Sequence, residues 1–191
     1  MKISELTYMT IKGESKQFQY EIQAYQEDCV NNIISLFESL RQKVNFGEVL
    51  TAHHKKNKYN FPVQDTKNID IMMETGTGKT FTFIKTIFEL SKHFGYKKFI
   101  VLIPTVPIRE GTKTNLEDTK DYFKSFYANE KEKEIEAFVY EGGNISAVRQ
   151  FIGTSHLSVL VMTPSSFSHK DNILNRPLEK DINTPELFVN N

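Results

Sequence analysis

A chain of 191 residues, 39% hydrophobic and 25% charged, has enough apolar content to bury the core of one α/β domain, and its formal net charge of +0 argues against a strongly basic nucleic-acid platform. No apolar run approaches the ~20 residues of a membrane span, and the polar start is not a signal peptide. The lone Cys29 excludes a disulfide framework and a multi-cysteine zinc site, and the scattered histidines (His53 and His54 adjacent, off ligand spacing) point to no protein-only metal centre, so the expectation is a cytoplasmic protein without a membrane partner.

Residues 1–18 are mixed in character and read as one strand. From Ile22 to Gln42, apolar residues at Ile22, Cys29, Val30, Ile33, Phe37 and Leu40 predict an amphipathic helix, with Cys29 a small residue on its buried side. Asn45 to Lys67 is polar, contains Pro62, and reads as a long loop with short strands. Its basic run, His53 to Lys58, reads as a solvated insertion with the option of touching phosphate. Alternation then begins. Strands are expected at 69–73, 98–103, 135–140 and 157–162, and helices near 79–93, 107–127 (with a break at Gly111) and 145–152. Gly95 suits a helix C-cap, Pro107 a helix start and Asn144 an N-cap, while the Lys/Glu alternation from Glu130 to Glu136 reads as an exposed helical end. Near-continuous apolar strands separated by helices predict a mostly parallel sheet with helices on both faces. The expected division is an N-terminal segment, 1–60, and a main domain, 61–191.

Met73-Glu74-Thr75-Gly76-Thr77-Gly78-Lys79-Thr80 sits between a predicted strand and a predicted helix, the setting of a phosphate-binding loop. Gly76 and Gly78 let the backbone curl until successive N–H groups point inward at phosphate oxygens, and the helix starting near Lys79 adds the positive end of its dipole. The expected nucleotide contacts run from Thr75, Gly76, Thr77 and Gly78 through Lys79, Thr80 and Phe81. Lys79 reaches for the β- and γ-phosphates and the Thr80 hydroxyl for Mg²⁺, which makes these two the catalytic candidates and ATP with Mg²⁺ the expected cofactors.

The loop opens on Met73 where kinases and small GTPases usually carry glycine, and in this it resembles motif I of superfamily 2 helicases and translocases. That resemblance implies an α/β, RecA-like P-loop NTPase domain. It also gives meaning to two later stretches. Ile103-Pro104-Thr105-Val106-Pro107 resembles motif Ia, which implies a contact between Thr105 and the sugar-phosphate backbone of DNA, with Arg109 adding charge. Met162-Thr163-Pro164-Ser165 resembles motif Ib and implies a second backbone contact through Thr163, while Gly142-Gly143 is either a third or an ordinary turn. Tyr25-Gln26 resembles the glutamine that reads adenine upstream of motif I; an ordinary surface glutamine fits as well, and Gln17 and Gln19 are rival candidates.

Motif I followed by Ile103-Pro104-Thr105-Val106-Pro107-Ile108-Arg109-Glu110-Gly111 is similar to the Res subunit of type III restriction enzymes over roughly residues 20–180, and Ser166-Phe167 and Asn172-Ile173 also fit. The resemblance implies the N-terminal part of an ATP-dependent motor on double-stranded DNA, working with a modification methyltransferase (Mod) subunit and carrying a nuclease elsewhere. No apolar strand here ends in the Asp-Glu pair that organises Mg²⁺ and the attacking water; the late run Leu187-Phe188-Val189 ends in Asn190-Asn191. The domain is therefore expected to be truncated before that strand and inactive alone. Other readings are a type I restriction motor subunit, a repair helicase, or a module that binds nucleotide without hydrolysing it.

Overall fold

The computed structural model describes residues 7–10, 17–20, 23–42, 45–60, 68–126, 135–141 and 145–168. Strands β1 (Thr7–Thr10) and β2 (Gln17–Tyr20) pair in a two-stranded sheet, so the first segment holds two strands where one was expected, with Gln17 and Gln19 on the second. The remaining elements belong to two compact units that meet in sequence at Phe94 and Gly95.

The first unit contains α1 (Ala24–Arg41), α2 (Phe46–Asn57) and α3 (Lys79–Phe94). Helix α1 follows the expected amphipathic pattern, burying Val30, Ile33, Ile34 and Leu36, and packs on α3, which buries Ile84, Ile87, Phe88 and Leu90. Each such side chain withdrawn from water contributes about 1.5–3 kcal/mol. At the partners' edges Glu27 pairs with Lys85, and the Phe37 and Phe94 rings lie 5.7 Å apart. Gly95 ends α3 with φ +72°, the left-handed C-cap anticipated for it.

Two expectations fail here. The polar stretch after Asn45 is a helix, α2, rather than a loop, with Val49 and Leu50 packed on Leu36. Its basic run is the helix C-terminus, where Lys55 and Lys56 face the negative end of the dipole. Residues 69–73 have no ladder partner among the described residues and are not a strand. Ile69 packs against the α1–α2 cluster, whereas Ile71 and Met72 are 51% and 91% exposed. An apolar run becomes a strand only when a neighbour accepts its backbone hydrogen bonds.

The second unit is built on β3 (Lys98–Leu102), β4 (Ile135–Val139) and β5 (Leu157–Met162), a parallel sheet in the order β3-β5-β4. The chain runs from β3 through α4 (Val106–Phe126) to β4, then returns through α5 (Ile145–Gly153) to the central β5. Right-handed crossovers in opposite directions put α4 and α5 on opposite faces. One face packs Leu160, Met162, Phe138 and Tyr140 on Val148 and Phe151 of α5. Val159 and Val161 point the other way and are also 0% exposed, so β5 is covered on both sides. Helix α4 runs unbroken through Gly111, contrary to the expected break. At the N-terminal end of the sheet, Lys98 Nζ donates to Phe151 O, Thr154 O, Thr154 Oγ1 and Ser158 Oγ, and burial there lowers its pKa. That end is closed by structural contacts. Asn144, Gly142-Gly143, residues 130–134, Asn172-Ile173 and the Leu187–Val189 run lie outside the described residues.

Candidate functional site

The loop from Met73 to Thr80 has the geometry its glycines require. Gly76 has φ +83° and Gly78 φ +78°, values that L side chains rarely adopt. The Thr77 hydroxyl donates to Glu74 O at 2.6 Å and closes the loop on itself. Lys79 Nζ donates to Met73 O at 2.9 Å and Glu74 O at 2.7 Å, so the ammonium is folded over the loop that precedes it. Helix α3 begins at Lys79 with no acidic residue in its first turn, which leaves the positive end of the dipole unopposed. Thr80 stands in that first turn, and Phe81 follows it.

Gln26 is not a surface glutamine. It is 4% exposed, and its Nε2 donates to Thr77 O at 2.8 Å across 51 positions of sequence. Gly78 also lies against that amide, since a Cβ there would stand 2.4 Å from Gln26 Nε2. One residue on, Glu27 holds Lys85, so α1 is fastened to α3 beside the loop and Gln26 braces the loop from α1. Sequence reasoning had placed Gln26 near the nucleotide for its base edge and missed the contact with the loop.

Beside the loop a groove of about 440 Å³ runs along α1, lined by Tyr25, Asp28, Cys29, His53 and Tyr59 on one side and Met73, Glu74 and Thr77 on the other. Cys29 is half-buried in its wall rather than in the core, and burial raises its thiol pKa. Burial, followed by the charges of His54 and Lys56, holds the His53 imidazole below its usual value. Among the described residues no group of three His, Cys, Asp or Glu side chains could hold a metal by itself, so a divalent cation here would depend on oxygens of a bound ligand together with Thr80.

In the second unit the parallel register brings three chain segments to one end of the sheet. Leu102 lies opposite Met162, and Val139 opposite Val161. Thr105, Glu141 and Thr163 therefore all follow the carboxyl ends of their strands, the end at which open α/β sheets bind ligands. The three expected DNA contacts fare differently. Thr105 is exposed. Thr163 is 8% exposed and its Oγ1 is 2.7 Å from Ser165 Oγ and 3.4 Å from Ser166 Oγ, at the start of α6 (Ser165–Ser168), so the hydroxyl is engaged within its own turn, in which Ser165 is an exposed residue. Arg109 is 7% exposed and engaged by Glu110 Oε1 at 2.8 Å, Glu141 Oε1 at 3.1 Å and Tyr140 O at 3.1 Å. Two carboxylates neutralise its charge. Its guanidinium is thus engaged within the protein.

Comparison with known proteins bears on the family. A family model described as "Type III restriction enzyme, res subunit" matches residues 19–189. The chain is 44% identical over 94 residues to the type III restriction-modification enzyme EcoPI Res subunit of Escherichia phage P1, covering 49% of this chain and 9% of that protein. It is 34% identical over 150 residues to the EcoP15I Res subunit of Escherichia coli, covering 69% of this chain and 15% of that protein. To the StyLTI Res subunit of Salmonella typhimurium it is 42% identical over 69 residues, 34% of this chain and 7% of that protein. The chain thus spans a small part of the length of the curated relatives it matches.

Proposed function

This chain belongs to the type III restriction enzyme Res-subunit family, and from that premise we propose that it is the ATP-binding portion of a DNA-translocating restriction motor. The observation that carries the reading is the loop from Met73 to Thr80, with two left-handed glycines, an unopposed helix start and Lys79 folded over it. Amides of residues 76–80 and Lys79 would take the phosphates, and Thr80 would share Mg²⁺ with them. Thr75 and Phe81 flank these contacts. ATP supplies the energy of phosphoryl transfer when bound; the residues here hold and orient it.

Double-stranded DNA is the proposed partner of the carboxyl end of the β3-β5-β4 sheet, through exposed Thr105 and Ser165 and the amides beside them, with Thr163 shaping its turn rather than touching phosphate. A modification methyltransferase subunit is the proposed protein partner of the full enzyme, since the relatives are named as subunits of restriction-modification enzymes. Such a system works on DNA inside the cell, and no helix among the described residues is long and apolar enough to cross a membrane.

Isothermal calorimetry with ATP and ADP tests the nucleotide site. Lys79→Ala should abolish measurable binding, and unchanged affinity would remove the loop from the site. A second titration concerns the base. If the Gln26 amide also reads adenine, Gln26→Ala narrows the ratio of ATP to GTP affinity; an unaltered ratio leaves it the loop brace alone.

A further inference from the structure

We propose that Arg109 is a positioning residue for DNA binding, a buried clasp that fixes the loop after β3 against the turn after β4. The inference rests on the reading of this sheet edge as the DNA-binding edge. Arg109 lies in the first turn of α4, where its N–H donates to Thr105 O at 3.0 Å. Its side chain spans to the neighbouring strand end: Nη1 donates to Tyr140 O at 3.1 Å in a buried contact, and Nη2 to Glu141 Oε1 at 3.1 Å, while Nε and Nη2 both reach Glu110 Oε1. Tyr140 N in turn donates to Val161 O on β5, so the clasp closes on the frame of the sheet. One planar guanidinium thereby connects the residue that carries the exposed Thr105 hydroxyl with the exit of β4. A lysine could keep the charge but not the fork, because an ammonium cannot present fixed, coplanar donors to partners in different directions.

Burial and charge separate this role from a direct phosphate contact. The Arg109 side chain is 8% exposed, while Glu110 and Glu141 are 49% and 62% exposed beside it. A phosphate approaching here would meet carboxylates first. Arg109 therefore acts through Thr105 and the loop backbone, whose amides must hold a set spacing to receive successive phosphates.

The test measures binding of the whole chain to a fluorescein-labelled duplex oligonucleotide by anisotropy across a salt series, beside calorimetry with ADP. Arg109→Lys should weaken DNA binding about fivefold with the salt slope unchanged, because the positioning network is lost and no phosphate contact is. Glu141→Gln, an exposed and mild change, should also weaken it, although removing a negative charge near DNA would by itself strengthen it. ADP affinity stays at the wild-type value in each variant. A salt slope shallower by about one in Arg109→Gln, which removes the charge together with the fork, or tighter binding by Glu141→Gln, would mean a direct phosphate contact and overturn the clasp. Wild-type affinity in both Arg109→Lys and Glu141→Gln would overturn it as well. Absence of DNA binding by the wild-type chain that still binds ADP would instead refute the DNA-binding edge, and the clasp with it.

Discussion

Gly76 and Gly78 share a left-handed backbone, yet a methyl group added to each meets different surroundings. At Gly76 nothing lies within 4 Å, so alanine there carries only the backbone strain, about 1–2 kcal/mol. At Gly78 the new Cβ would stand 2.4 Å from Gln26 Nε2, and the amide must swing off Thr77 O to make room. The lost hydrogen bond adds about 1 kcal/mol. Gly78→Ala should therefore lower the urea midpoint more than Gly76→Ala. In a double-mutant cycle, Gln26→Ala should cost less in the Gly78→Ala background than in the wild type. Additive losses would mean that the loop does not depend on the brace. The loop motif was legible in the sequence, since its glycines and its Lys-Thr pair are local. The brace was not, because the pairing of positions 26 and 77 depends on how α1 packs on α3.

Helix α2 shows how a weak local signal becomes an element. Asn45 accepts from Gly47 N at 2.8 Å as the N-cap, Glu48 sits in the first turn, and Lys58 closes the other end with φ 56°. Phe46, Val49 and Leu50 carry the i, i+3, i+4 spacing of a short buried stripe. Those signs are present in the sequence, but the polar composition of the stretch and Pro62 point to a loop, and only contact with Leu36 and Ile69 decides the matter. Asn45→Ala should cost about 1 kcal/mol, visible as a lower melting temperature by circular dichroism. An unchanged melt would mean that packing alone holds the helix. The segment 69–73 is the converse case, with a strong apolar run and no strand, since the ladder is supplied by another chain segment or not at all.

For the molecule as a whole, the loop is the proposed nucleotide site, but no apolar run in the sequence is followed by the Asp-Glu pair that would orient the attacking water. Stabilisation by an arginine from a second domain, worth about 10³–10⁵ in rate in related NTPases, is a further requirement. The 191 residues by themselves should show no DNA-stimulated phosphate release, as measured by a phosphate-release assay with and without duplex DNA. Robust turnover by the 191 residues, abolished in Lys79→Ala, would reveal a catalytic carboxylate that the sequence reading missed. Class of fold, the glycine loop and the alternation of strands and helices from Lys98 onward were legible in the sequence alone, because glycine turns, caps and hydrophobic period act over a few residues, and the family was legible only through the resemblance carried by Met73–Thr80 and Ile103–Gly111. Only the tertiary structure shows what Gln26, Arg109 and Thr163 touch. Each is a polar residue whose motif position suggested an outward contact, and each is buried against a partner distant in sequence or in an adjoining turn, where an unpaired polar group would be too costly to leave.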